Sequence, residues 1–252
     1  MFAAMDDHKI WFGARRVEPA EKPALVRGVF ERVARRYDLM NDLMSGGIHR
    51  LWKADLIDWL APRAGELLLD VAGGTGDVAF RFLERTGRKA RAIVCDLTPA
   101  MLSIGRNRAI DRGIVSDIEW LAGDAQRLPL SDRSVDAYTI AFGLRNVADI
   151  DAALGEARRV LKPGGRFICL EFSQVVLPLL NQLYNLYSFR VLPWMGQLVA
   201  GDRDSYVYLV ESIRRFPAQD ALMARLGAAG LGQASYRNLS GGIAALHSAW
   251  RI

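Results

Sequence analysis

The chain has 252 residues, 51% of them hydrophobic, and its 33 Lys and Arg against 28 Asp and Glu leave a formal charge of +5. That length fits one large α/β domain with additions, and the mild basic excess tolerates an anionic membrane surface or an acidic partner. No Lys/Arg run interleaved with aromatics calls for nucleic acid, and no uninterrupted apolar window of ~18 residues is available to span a membrane.

Taken in order, the chain opens with MFAAMDDHKIWFG, whose early acids and lack of an apolar core argue against a secretory signal. Residues 1–24, punctuated by Pro19 and Pro23, are expected to be a flexible lead before a single domain over 25–252. Phe12-Gly13 stands out there without a role. Val26, Val29, Phe30, Val33 and Tyr37 fall at helical spacing, and a second amphipathic stretch runs from His49 to Leu60. Leu67–Val71 reads as a short buried strand, Gly73, Gly74 and Gly76 as a tight turn, and Asp77–Phe80 as the opening of a helix. Ala92–Asp96 is a strand ending in an acid, and Thr98-Pro99 caps and starts a helix reaching about Arg112. Ile118–Leu121 and Val135–Phe142 are further strands. Asp149 caps a helix through Leu161, Lys162–Gly165 is a turn, and Arg166–Glu171 is a strand. Such alternation predicts a Rossmann-like, doubly wound, mostly parallel sheet with ligands at the carboxyl ends of its strands.

Residues 173–216 depart from the alternation. Their Tyr184, Tyr187, Phe189, Trp194, Tyr206 and Tyr208 suggest a helical insertion that covers the site with an apolar wall. A helix after Pro217 and strands near Ala234–Asn238 and Ala244–Trp250 close the chain, the last of them antiparallel. Cys95 and Cys169 both lie in apolar runs, as buried free thiols in a reducing cytoplasm do. No metal-ligand spacing occurs, and His8, His49 and His247 follow no triad pattern.

The glycine turn is the chemical centre. Glycines there let a ligand touch the main chain, and the following helix start offers free N–H groups and partial positive charge. Gly74-x-Gly76-x-x-Ala79, with Asp96 20 residues past Gly76, formally fits a dinucleotide fingerprint. Asp70 and Asp77 at either end of the turn would repel a pyrophosphate. S-adenosylmethionine carries a sulfonium and an ammonium, and opposite charges at ~4 Å are worth roughly 1 to 4 kcal/mol near a surface. It is therefore the expected cofactor. Asp70, Gly73, Gly74, Thr75 and Gly76 are expected at its methionine end, Asp96 at the ribose diol, and Asp124-Ala125 with Leu97 at the adenine. Phe142–Asn146 follows the fourth strand at the methyl, where Arg145, always protonated, would hold a phenolate or a polarised water.

Beyond these elements, VFxxVAxxYDxMNDLMSxGIHRLWK (Val29–Lys53), LDVAGGTGD, AFGLRN, LKPGG, LEFS, YSFRVLP and DSYVYLVESIRRFP resemble the ubiquinone/menaquinone biosynthesis C-methyltransferases, from Phe12 onward. The resemblance implies a class I methyltransferase fold with a seven-stranded sheet, N-terminal helices and a lid. It also implies C-methylation of a polyprenylated benzoquinol, with demethylmenaquinol as a second substrate. It carries cofactor contacts onto Thr75, Asp96 and Asp124-Ala125, and a water-mediated base onto Arg145, supported by Asn146 and Tyr37. Ala141 stands where the family often has a serine, so that hydrogen bond to the cofactor is missing. A lipid-soluble prenylated quinol further implies an apolar tunnel, docking of a cytoplasmic enzyme on the inner membrane face and a place in a quinone-biosynthesis complex. A homodimer is compatible with all of this. Two other readings stay open: a methyltransferase for another phenolic acceptor, and a cofactor-binding subunit without catalysis.

Overall fold

The computed structural model describes residues 9–13, 15–34, 41–42, 45–176 and 203–252. Tyr37, Tyr184, Tyr187, Phe189 and Trp194, with most of the expected insertion, lie outside them.

The core is a seven-stranded sheet of order β5-β4-β3-β6-β7-β9-β8, built from β3 (Leu67–Val71), β4 (Arg91–Asp96), β5 (Ile118–Ala122), β6 (Val135–Ala141), β7 (Leu161–Phe172), β8 (Gly232–Leu239) and β9 (Ala244–Trp250). Strands β3 to β7 are mutually parallel, while β9 runs antiparallel to both β7 and β8. The chain lays β3, β4 and β5 outward in one direction, then returns to place β6 on the other side of β3. That reversal opens a crevice at the carboxyl ends of β3 and β6.

Successive residues of a strand face opposite sides, so each strand feeds two cores. Leu68, Val94, Ala137 and Ile168 join one, with α2 (His49–Leu60), α3 (Asp77–Arg85) and α4 (Pro99–Asp111). Leu69, Ile93, Tyr138 and Cys169 join the other, with α5 (Ile150–Val160) and α7 (Gln219–Ala228). Phe80, Phe82, Phe167 and Phe172 are almost wholly buried, and burying each stabilises the fold by about 1.5–3 kcal/mol.

Several expectations need correction. Residues 10–17 are not a flexible lead: β1 (Ile10–Phe12) and β2 (Arg15–Val17) pair as an antiparallel hairpin, and α1 (Lys22–Val33) begins before residue 24. Packing against the helix α6 (Arg203–Arg215) holds it there. Phe12 stacks on Tyr208, and Arg215 Nε donates to the Gly13 carbonyl at 3.1 Å. Lys162–Gly165 is not a turn between elements but part of β7, whose register against β6 shifts between Val135 and Ala137. The Pro-Gly-Gly residues bend the strand there, and Gly164 N–H bonds the Arg251 carbonyl at 2.7 Å. Thr98 has the extended backbone of a cap, but its hydroxyl makes no capping bond to α4, whose first turn is set by Pro99. Asp149 does cap α5, accepting from Ala152 N–H at 3.0 Å.

Trp120 of β5 fixes how α3 and α4 frame the turn. A Cβ on Gly105 would sit 2.3 Å from its ring, and one on Gly76, at φ +81°, would sit 2.7 Å away. Both helices approach the indole because neither carries a side chain at that point.

Candidate active site

A cleft lies at the carboxyl ends of β3, β4 and β6. It is lined by Ala72 and Gly74 after β3, Asp96 and Leu97 after β4, Asp124 and Ala125 after β5, and Gly143 and Asn146 after β6. Pro23, Val26 and Phe30 of α1 cover it. Ala72 and Phe142, both on its wall, hold left-handed backbones with φ of 50° and 57°. Such angles cost a non-glycine residue of order 1–3 kcal/mol and concentrate where a site demands them.

Asp96 is the best-prepared group in the cleft. Its Oδ2 accepts Gly74 N–H at 2.9 Å and its Oδ1 accepts Thr98 N–H at 2.8 Å. Burial pushes its carboxyl above the usual carboxylate range, against those two backbone bonds. Each oxygen keeps a second lone pair, so the group is aimed yet able to accept a vicinal diol. Asp124 is pinned by Gln126, whose N–H and side-chain amide both donate to it.

The sequence placed the deciding charges on Asp70 and Asp77, and the structure moves them. Neither lines the cleft. Burial raises the Asp77 carboxyl, but Lys53 Nζ at 2.8 Å and Arg81 Nε at 3.2 Å outweigh it and bring its pKa to about 2. Asp70 is fully buried, and burial lifts it to about 7 against the Thr139 hydroxyl that donates to Oδ1 at 2.8 Å. Its Oδ2 has no donor in hydrogen-bond geometry, though the Ala79 N–H favours its charged form. The carboxylates that face the cleft are Asp96 and Asp124, and no Lys or Arg is among its described lining residues. A cationic donor fits such a cleft and a pyrophosphate does not, with Asp96 and Asp124 in place of Asp70 and Asp77 supplying the negative charge.

A pH effect follows. Asp70 titrates higher in the folded protein than its ordinary 3.8, so the native state holds a proton that the unfolded chain has released. Stability through this group is greatest at low pH and falls as pH rises from 3.8 toward about 7. Asp77 has the opposite sign: its contribution is present above 3.8 and is lost as pH falls toward 2. Asp70→Asn is expected to flatten the decline in melting temperature over the first window. A slope equal to that of the parent would place the proton elsewhere.

The remaining sequence candidates divide by position. Gly74, Asp96, Leu97, Asp124, Ala125 and Asn146 border the cleft. Gly73, Thr75, Gly76 and Ala141 lie outside that lining. Thr75 is buried with its hydroxyl taken by Arg108 at 3.0 Å, and Ala141 packs on the core. Arg145 does not open onto the cleft. Its side chain is 1% exposed and paired at 2.5 Å with Glu171, also 1% exposed. Its Nη1 donates as well to the Phe142 carbonyl at 2.6 Å.

Sequence reasoning assigned no role to Glu171, Lys53 or Lys22. Glu171 lies next to the last residue of β7, inside the LEFS motif, where a lone acid in an apolar run was the available signal. Lys53 and Lys22 sit on amphipathic helices whose polar faces look ordinary in sequence. Lys22 Nζ in fact donates to the Val147 carbonyl at 2.9 Å, and burial lowers its pKa to about 8. His49 contacts Asp42, and His247 contacts the Gln219 carbonyl.

The switch-point cleft, its carboxylates and its sheet order define the class: a class I S-adenosylmethionine-dependent methyltransferase fold. A SAM-dependent methyltransferase from Aquifex aeolicus superposes with a TM-score of 0.59 at 16% identity, over 79% of this chain and 89% of that one. The ubiE/COQ5 methyltransferase family profile matches residues 17–251, and the chain belongs to that family. The ubiquinone/menaquinone biosynthesis C-methyltransferase UbiE of Paracoccus denitrificans is 59% identical over 241 residues, 96% of each chain. The protein of the same name from Brucella abortus is 55% identical over 243 residues, 96% of this chain and 90% of its own.

Proposed function

We propose that this chain methylates a ring carbon of a polyprenylated benzoquinol of the 2-polyprenyl-6-methoxy-1,4-benzoquinol type, of demethylmenaquinol, or of both. The observation that carries the reading is identity of 55–59% across 96% of the chain to proteins named for that activity. When bound, S-adenosylmethionine supplies an electrophilic methyl group on a positively charged sulfur. Asp96 would hold its ribose, Asp124 with Ala125 and Leu97 its adenine, and Gly74 its methionine end.

Most of the acceleration in such a transfer comes from alignment and exclusion of water. Pro23, Val26 and Phe30 of α1 line the cleft with apolar surface. Asn146 brings a neutral amide to the acceptor side. In this reading Arg145 acts from within the wall, through Phe142 and Asn146, with Glu171 neutralising its charge. Tyr37 would complete the group. The acceptor is lipid-soluble, so docking on the inner face of the membrane is part of the proposal. Among the described residues no helix is long and apolar enough to cross a membrane.

The test is methylation by the purified chain, with labelled methyl donor and short-tailed benzoquinol and naphthoquinol acceptors. Label on a ring carbon of either acceptor is expected. Label on oxygen, or on neither acceptor, would overturn the reading.

A further inference from the structure

Tyr208 joins the N-terminal hairpin to the cleft. Its ring, on α6, stacks on Phe12 with centroids 4.4 Å apart and planes 29° apart. Its hydroxyl donates to Asn146 Oδ1 at 2.9 Å. Gly13 packs behind the ring: a Cβ there would meet Tyr208 Cδ2 at 3.5 Å. Arg215 lies two turns further along the same face of α6. Its guanidinium sits 3.7 Å from the Trp11 ring centroid and bonds the Gly13 carbonyl. The hairpin is thus fastened to α6 at Tyr208 and again at Arg215.

The amide of Asn146 has one acceptor and two donors. With Oδ1 taken by the phenol, Nδ2 lies 3.5 Å from the Phe142 carbonyl, on the cleft wall. A flipped amide would set Oδ1 against that carbonyl, acceptor on acceptor, so the contacts select a single orientation. The Tyr208 hydroxyl stays a donor because burial pushes its pKa up.

We propose that Tyr208, braced by Phe12, is a positioning residue that holds Asn146 with its N–H₂ toward the cleft, as a donor to an oxygen on the acceptor ring. This rests on the reading that Asn146 acts on the acceptor. Tyr208 is not among the described residues that line the cleft, so its phenol acts through Asn146. It removes the rotational freedom of that amide, and it ties residues 10–17 to turnover.

A double-mutant cycle tests it. kcat, KM and cofactor Kd are measured on the full chain for Tyr208→Phe, Phe12→Ala, Asn146→Ala and the pair Tyr208→Phe with Asn146→Ala. Losing one neutral hydrogen bond is expected to lower kcat about tenfold in Tyr208→Phe, with cofactor Kd unchanged. Phe12→Ala should move kcat the same way by less, and the pair should be no slower than Asn146→Ala alone. Unchanged kcat in Tyr208→Phe overturns the proposal, as does a Tyr208→Phe loss that persists in full on the Asn146→Ala background. In that second case Asn146 keeps its role and only the positioning fails. Unchanged kcat in Asn146→Ala removes the underlying reading and the proposal with it.

Discussion

Glu171→Ala is expected to cost about 3 to 5 kcal/mol of folding stability, because it leaves a buried guanidinium without its counter-charge. Glu171 and Arg145 are each 1% exposed in their side chains. Besides the Arg145 guanidinium, Glu171 accepts the Phe172 N–H at 2.9 Å and the Arg145 backbone N–H at 3.3 Å. In a chain of this size each kcal/mol moves the melting temperature by about 2–4 °C, so the melt should fall by roughly 6–20 °C. The informative companion is Arg145→Met with Glu171→Met. Replacing both members of a buried ion pair by apolar groups of similar volume is often neutral or stabilising, so the double variant should recover much of the lost melting temperature. If the pair serves the proposed chemistry, that variant will be folded, will bind cofactor and will fail to methylate. Full turnover in it would show that the pair is only a structural tie between β7 and the turn after β6.

Much of this architecture was legible in the chain. Alternating apolar strands, the glycine turn and Asp149 as a helix cap announce themselves through local chemistry, and local chemistry is what a sequence displays. The partners that decide the site are not local. Glu171 meets Arg145 across 26 positions and Tyr208 meets Asn146 across 62. Only the order of β6 beside β7, and the return of α6 over the turn, bring these residues together. The hairpin was missed for a related reason. Three-residue strands around Gly13 carry too little periodicity to be seen, and what stabilises them is contact with α6. In the same way Asp70 and Asp77 look like cleft acids in sequence because they flank the turn. The fold turns one into the core under Thr139 and gives the other to Lys53 and Arg81.

That displacement of charge yields the second large prediction. Asp96→Ala is expected to weaken S-adenosylmethionine binding by about 100-fold or more. Hydrogen bonds to a charged group are worth about 1.5–3 kcal/mol each, and a ribose diol would make two with this carboxylate. Stability should fall as well, by about 1–3 kcal/mol, since Gly74 and Thr98 N–H groups lose their acceptor. Asp77→Asn serves as the opposite case. It breaks two ion pairs whose residues are absent from the cleft lining, so it should lower the melting temperature while leaving cofactor affinity within a few-fold. Titration calorimetry and melting curves on the two variants separate the alternatives. If affinity instead follows Asp77 and ignores Asp96, then the acids flanking the glycine turn face the ligand after all. A cationic cofactor is held where carboxylates remain unpaired, and in this fold an acid next to the turn in sequence is spent on lysine and arginine before any ligand arrives.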